Sequence, residues 1–339
     1  MTIDDEKIII FSQAPADIKY VIDLYEKWHI SHKIMICVTG VINNYRYLQS
    51  LNLNSNLLFI PLFTMKNPFN VVRQKLILGK IYKGTFQHYR GAKIYFNSKH
   101  FDFGTYYFLR KLHYSNTVYF FDLYKHKGDI TTSFPLRYIL KKLLLNCIVG
   151  NHISYMKVGA HLFPIFDYSH MKIEEIVLKT NPDNLSKYMF EVQVPFKRSI
   201  LFFESNGQMD THFVDYGKTL DQVLDVFRQS GFEVFIKPHP RIGYSRMLDD
   251  HGFIFIESYV PGEMIQIENF DYVIGFASTS LTIAIDGGKT KALSLIDLLD
   301  YKSADNKAMM KEYLLRFNDS LYFVQTLDEL QSLLTADIN

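Results

Sequence analysis

Short apolar runs alternate along the chain with longer segments whose apolar positions recur at helical spacing, and the alternation is run through twice. In the first half, residues 7–11, 33–38, 57–60, 93–96 and 117–121 read as strands. Between them, residues 15–28 place Ile18, Val21, Ile22 and Tyr25 on one helical face, and residues 68–83 form a second helix. The segment 181–198 has no clear period and reads as a connection. Strands then resume at 199–203, 233–236, 253–256, 271–275, 292–296 and 321–324. Helices are expected over 218–229, 262–268, 278–286, 303–317 and 327–334, with Gly231 suited to end the first of these.

Strands separated by helices imply parallel sheets covered on both faces. Built twice, this predicts an α/β protein of two Rossmann-like, doubly wound domains facing a cleft. The expected boundaries are an N-terminal domain over 1–180, a linker over 181–198 and a C-terminal domain over 199–339. In such sheets ligands bind outside the carboxyl ends of the strands, so strand ends are where chemistry is sought.

Composition narrows the class. At 339 residues, with 28 Phe, 23 Tyr and 21% charged residues, the chain can bury two cores and is not a disordered polymer. Its two cysteines, Cys37 and Cys147, lie in apolar runs and fit no metal or disulfide spacing, which points to a reducing cytoplasm. The start of the chain has no signal-peptide pattern. No apolar stretch reaches the roughly 20 residues that a membrane-spanning helix requires, so the expected location is cytoplasmic, with peripheral contact at the inner face of the cytoplasmic membrane as an extension.

The net charge of +2 hides an asymmetry: residues 1–198 carry 26 basic and 14 acidic side chains (+12), and residues 199–339 carry 11 and 21 (−10). A basic half concentrates anionic ligands or an anionic membrane surface near it. No nucleic-acid-binding motif accompanies the charge, so nucleic acid is not an expected partner.

The dinucleotide and P-loop glycine patterns are absent, and Lys289 in the 286–290 segment follows a helix rather than a strand. Two other strand ends are informative. The run 233–236 stops in Lys237-Pro238-His239-Pro240, placing a cation and an imidazole at the sheet edge. The run 271–275 leads into Ser278-Thr279-Ser280, where hydroxyls and unpaired N–H groups at a helix start suit a phosphate and suit an ordinary helix cap equally well. Pro261-Gly262-Glu263 opens a further helix, where a carboxylate also offsets the dipole. Ser205-Asn206-Gly207 follows the strand 199–203 as a loop able to offer backbone amides or act as a plain turn.

Taken in order, the Lys237–Pro240 turn, the Pro261–Glu263 turn and the Gly275–Leu281 serine block resemble bacterial GT-B sialyltransferases. The likeness is greatest to glycosyltransferase family 52 and the capsular polysialyltransferases, and it covers residues 199–300 well. It implies an inverting, metal-independent transfer of sialic acid, or a related nonulosonic or ulosonic acid, from a CMP-sugar to a glycan or lipid-linked oligosaccharide acceptor. The setting it implies is surface polysaccharide or lipooligosaccharide synthesis, with no cofactor or metal. Lys237, Pro238, Ser278, Thr279, Ser280, Ser205, Asn206 and Gly207 would then bind the donor, and Glu263 would accept hydrogen bonds from the ribose. His239 would assist departure of the phosphate, since imidazole titrates near neutral pH.

These relatives carry paired acidic residues followed by Gly after an N-terminal-domain strand. Here the strand 117–121 runs into Asp122-Leu123-Tyr124, keeping only the first. Asp122 is the implied base, with His126 and Asp129 as substitutes on the same loop. Ser12 and Gln13, ending the first strand, are candidates on the acceptor side. The same motifs also resemble CDP-glycerol glycerophosphotransferases and Kdo transferases, and a noncatalytic nucleotide- or glycan-binding homologue is the reading outside enzymes. Finally, Leu136, Ile139, Leu140, Leu143, Leu144 and Cys147 share a helical face opposite Arg137, Lys141 and Lys142, which fits a helix packed into its domain or one lying on a membrane.

Overall fold

The computed structural model describes residues 6–61, 68–97, 102–121, 129–131, 139–140, 143, 153–158, 161–193, 198–204, 213–240, 243–245, 248, 252–282, 290–302, 304–315 and 321–336. The chain divides into two compact units, Met1–Tyr188 and Met189–Asn339.

The first unit is built on β1 (Lys7–Ser12), β2 (Lys33–Thr39), β3 (Asn56–Ile60), β4 (Lys93–Phe96) and β5 (Thr117–Phe120). A small antiparallel meander of β6 (Asp129–Thr131), β7 (Ile153–Val158) and β8 (His161–Phe166) follows, and then β9 (Ile173–Glu175). Six of these strands pair in parallel in the order β3-β2-β1-β4-β5-β9. Strand β1 is apolar at every position from Ile8 to Phe11 because helices cover both faces of a parallel sheet and leave no solvent side for alternation.

Helix α1 (Ile18–Trp28) buries Ile18, Val21, Ile22 and Tyr25, the face expected from their spacing. Helix α3 (Pro68–Ile81) gives way to a wider π-type turn at Tyr82–Phe86, so its α-helical part ends before Lys83. Helices α2 (Ile42–Ser50) and α4 (Phe103–Leu112) have no clear signature in the pattern, for opposite reasons. The first buries two polar residues, Asn43 and Asn44, whereas the second is buried nearly all round and so shows no stripe. A short helix, α5 (Pro182–Ser186), capped by Asn181, interrupts the segment read as a connection. It is tied to α1 by the Asp23 carboxylate, which accepts from the Asn181 N–H and the Asn184 side chain.

The second unit has β10 (Ser199–Phe203), β11 (Phe213–Val214), β12 (Glu233–Lys237), β13 (Ile254–Phe255), β14 (Tyr272–Gly275), β15 (Lys291–Ser294), β16 (Asp300–Tyr301) and β17 (Tyr322–Phe323). Its main sheet is again six parallel strands, ordered β13-β12-β10-β14-β15-β17, while β11 and β16 form a separate antiparallel pair. Helix α6 (Tyr216–Gln229) packs Tyr216, Leu220, Val223, Leu224 and Phe227 onto this sheet. It stops where Gly231 takes φ +72°, a left-handed cap that glycine adopts without a Cβ clash. Helices α7 (Ala304–Leu315) and α8 (Leu327–Ala336) complete the unit.

One expected helix shrinks, and a second is described only in part. Residues 262–268 form two single 3₁₀ turns, Gly262–Met264 and Ile267–Asn269, because Ile265 between them is extended and bridged to Phe190. Of the expected helix 278–286, residues 278–282 are described, and Thr279–Thr282 forms a 3₁₀ turn. Among the described residues no helix is long and apolar enough to cross a membrane.

Candidate functional site

Both main sheets follow one order: outward on one side of the first strand, then outward on the other. The direction of winding reverses between β1 and β4 in the first unit and between β10 and β14 in the second. At such a point the loops from neighbouring strands diverge and leave a crevice beyond the carboxyl ends.

In the second unit the last ladder row before that crevice is Lys237, Phe203, Gly275 and Ser294, paired across β12, β10, β14 and β15. A side chain at Gly275 would meet the Phe203 carbonyl oxygen at 3.1 Å, so close packing of β14 on β10 needs glycine there. Lys237 is buried, at 2% exposure, rather than spread into solvent. Its ammonium donates to the Pro238 carbonyl at 2.6 Å and the Ser258 carbonyl at 3.4 Å. Burial pushes its pKa down to about 8, with the nearby Glu263 carboxylate acting in the opposite sense.

The three sequence motifs converge around this lysine. Glu263 is buried beside it, and the Ser280 hydroxyl donates to Glu263 Oε1 at 3.3 Å. Gly262 is required by that contact: a Cβ there would lie 2.5 Å from Ser280 Oγ and 2.8 Å from the Phe203 ring. Pro-Gly-Glu is thus a turn fitted against the serine block. His239 follows Pro238 and is half-buried. Its backbone exchanges hydrogen bonds with Gly243, N–H to Gly243 O at 3.0 Å and back at 2.9 Å, in an antiparallel bridge at which Gly243 takes φ +82°.

Ser278 serves as a cap: its hydroxyl accepts from the Ser280 N–H at 3.2 Å, and its carbonyl accepts from the Leu281 N–H at 3.2 Å. A phosphate at this turn would therefore exchange with an internal bond instead of meeting a row of open N–H groups. One member of the site escaped the sequence reading. Glu204, directly after β10, is 3% exposed and accepts from the Ser245 N–H at 3.3 Å. A carboxylate ending a wholly apolar strand was the available signal.

The equivalent edge of the first unit holds Ser12 and Gln13, both buried. The Ser12 hydroxyl donates to Asp17 at 2.8 Å. The other Asp17 oxygen accepts from the Gln13 N–H and, at 2.9 Å, from the Ala14 N–H. Complete burial raises the Asp17 pKa to about 6, against the lowering effect of these donors. The Gln13 amide donates to Asp102 Oδ2 at 3.2 Å, and the same oxygen accepts from the Thr39 and Thr105 hydroxyls, each at 2.6 Å. Asp102 Oδ1 caps α4 through the Gly104 and Thr105 N–H groups. Asn97, directly after β4, is 1% exposed; its backbone N–H donates to the Gln13 side-chain oxygen at 3.2 Å, and its side chain faces Asp17 and lowers that carboxyl's pKa. Ser12 and Gln13 are thus tied into a buried polar network. Its acidic members, Asp17 and Asp102, belong to none of the motifs read from the sequence, and Asp102 caps a helix that shows no stripe.

Asp122, His126, Ser205, Asn206 and Gly207 lie outside the described residues, as does the side chain of Thr279. Asp129 is not on an open loop: it begins β6 and is paired with Lys157. Ile139, Leu140 and Leu143 of the basic helix are exposed at 40%, 60% and 57%, against the expectation of a face packed into its domain, and residues 136, 137, 141, 142, 144 and 147 are outside the described part.

No protein-family model and no curated protein matches the sequence. Solved structures do share the architecture. A putative UDP-N-acetylglucosamine 2-epimerase from Listeria monocytogenes aligns over 98% of this chain and 87% of its own at 7% identity, with a TM-score of 0.50. Another UDP-N-acetylglucosamine 2-epimerase aligns over 99% and 87% at 10% identity, also with a TM-score of 0.50. A sialyltransferase from Photobacterium damsela covers 94% and 81% at 11% identity, and its TM-score of 0.43 is too low to bear on this chain. At such identities the likeness is one of fold, and the chain has the two-sheet, Rossmann-like α/β fold of the GT-B, glycosyltransferase-like type.

Proposed function

We propose that the protein is an inverting glycosyltransferase that moves sialic acid, or a related nonulosonic or ulosonic acid, from a CMP-sugar to a glycan or lipid-linked acceptor in surface polysaccharide or lipooligosaccharide synthesis. The observation that carries this reading is the convergence of Lys237, Glu263 and Ser280 at the carboxyl edge where the second sheet reverses its winding. Lys237 is a buried cation that donates to two carbonyl oxygens and feels one carboxylate, Glu263, and a ligand anion placed there would offset its burial further. A single phosphate supplies one.

In the transfer, the acceptor oxygen bonds to the anomeric carbon as the bond from that carbon to the phosphate oxygen breaks. The acceptor proton passes to Asp122, the leaving phosphate takes a proton or a hydrogen bond from His239, and Lys237 holds the charge that develops. Glu263 accepts from the ribose hydroxyls. A nucleoside monophosphate leaving group carries less charge than a diphosphate, so the scheme assigns its neutralisation to protein groups and not to a divalent metal.

The test is a parallel assay with CMP-sialic acid and CDP-glycerol, alongside thermal shift with CMP, UDP and GDP. CMP release from the first donor and a shift with CMP alone are expected. Turnover of CDP-glycerol would move the assignment to glycerophosphate transfer, and a preference for UDP would remove the cytidine reading. Binding without turnover of any donor would leave a noncatalytic nucleotide-binding protein. His239→Ala is expected to lower turnover about 10²-fold or more while leaving CMP binding in place; unchanged turnover refutes its role.

A further inference from the structure

The outer face of α3 combines apolar exposure with one-signed charge. Phe69, Leu76 and Val72 are exposed at 82%, 64% and 49%. The opposite face, with Val71, Gln74 and Leu78, is buried, and Val71 and Leu78 join the core of the first unit. At about 100° per residue, the three exposed apolar residues fall within an arc of roughly 60°. Arg73 and Lys80 lie on one flank of that arc and Lys75 on the other, all three exposed. A surface helix that merely covers its domain would carry polar residues along this arc.

Charge decides what the face fits. From Lys27 to Phe101 the sequence holds 11 lysines and arginines and not one aspartate or glutamate. A protein partner would have to match a strongly basic rim around an apolar strip. An anionic bilayer offers both at once: headgroup charge for the flanks and an acyl boundary for Phe69 and Leu76.

We infer that the exposed face of α3 is a peripheral membrane-binding surface whose partner is an anionic phospholipid bilayer. The helix lies in the interface plane with Phe69, Val72 and Leu76 inserted at the headgroup boundary, and Arg73, Lys75 and Lys80 contact lipid phosphates. The inference stands apart from the donor chemistry proposed above, since vesicle binding and nucleotide binding are read in separate assays.

The experiment is co-sedimentation of the full chain with phosphatidylcholine vesicles and with mixed phosphatidylcholine–phosphatidylglycerol vesicles, at low and high salt. Binding to the mixed vesicles only, weakened by salt, is expected. The double variant Phe69→Ser, Leu76→Ser and the triple variant Arg73→Gln, Lys75→Gln, Lys80→Gln should each lose about tenfold or more in partitioning. All five positions are solvent-exposed, and circular dichroism together with CMP thermal shift checks that the variants remain folded. Absence of binding to the mixed vesicles, equal binding to phosphatidylcholine alone, or undiminished binding by either variant overturns the inference. So does a wild-type dimer in gel filtration that the serine variant converts to monomer, because the face would then be covered by a second copy.

Discussion

Replacing Lys237 by methionine should make the protein more stable at neutral pH and less stable at high pH. In the folded chain burial holds this lysine's pKa near 8, whereas its ordinary value is 10.5. Between these values the unfolded state binds the proton that the folded state has released, so stability rises with pH. Below pH 8 the full cost of the buried charge is present, on the order of 3 kcal/mol. Methionine of similar length removes that cost. It also removes the bonds to the Pro238 and Ser258 carbonyls, at about 1 kcal/mol each. The balance leaves Lys237→Met about 1 kcal/mol more stable at pH 7 and about 2 kcal/mol less stable above pH 10.5.

Denaturant unfolding of both proteins, followed by far-ultraviolet circular dichroism from pH 7 to 10.5, measures the difference, and other titrating groups cancel in it. Trp28, the single tryptophan, sits in α1 and reports the first unit separately, so its fluorescence transition should coincide in the two proteins. Parallel stability curves over this range would falsify the assignment of Lys237 as a strained buried cation. CMP binding extends the test, because a phosphate beside the ammonium raises its pKa. Affinity should therefore decline above pH 8 in the wild type and be weak at every pH in the variant.

Three further outcomes follow from named contacts. The Asp17 carboxyl keeps its proton to about pH 6 when folded and to about 3.8 when unfolded, so its stabilising contribution is complete below 3.8 and lost as pH rises through 6. Relative to Asp17→Asn, the wild type should gain roughly 3 kcal/mol on acidification from pH 7 to 3.5 in urea titrations, and a constant difference refutes this. Gly262→Ala should cost about 1–3 kcal/mol and abolish CMP binding, with Ser280→Ala restoring part of the stability but little of the binding; strict additivity in the double-mutant cycle would show that the two do not touch. Asp102→Ala, which strips the acceptor from two hydroxyls, an amide and the α4 cap, should cost about 2–4 kcal/mol, and a melting temperature within a degree of the wild type's would contradict the network described.

Much of the architecture was legible because burial on both faces writes parallel strands as continuous apolar runs. The run 93–96 matches β4 and the run 199–203 matches β10. Elements with another logic were not. Helix α4 is too buried to show a stripe, α2 hides asparagines inside, and the β6–β8 meander pairs antiparallel strands outside the alternation of strand and helix. At the site, the motifs identified Lys237, Glu263 and Ser280 but not that they meet, since contact between residues far apart in sequence depends on which strands neighbour one another. Periodicity also overextended the helix after Pro261, where Ile265 is claimed by Phe190. Buried Asp17 was missed because a lone carboxylate in a helix entry has no pattern, whereas Glu204 carried a signal in its place at the end of an apolar run.

The row in which Lys237, Phe203, Gly275 and Ser294 stand side by side ties the candidate site to strand alignment. A slip of one residue by β12 against β10 would turn Lys237 to the opposite face of the sheet. The groups proposed to hold the donor therefore have no loosened, half-working arrangement available. Heating should extinguish nucleotide capture and the structure of the second unit in a single step, so that binding capacity serves as a direct count of correctly folded molecules.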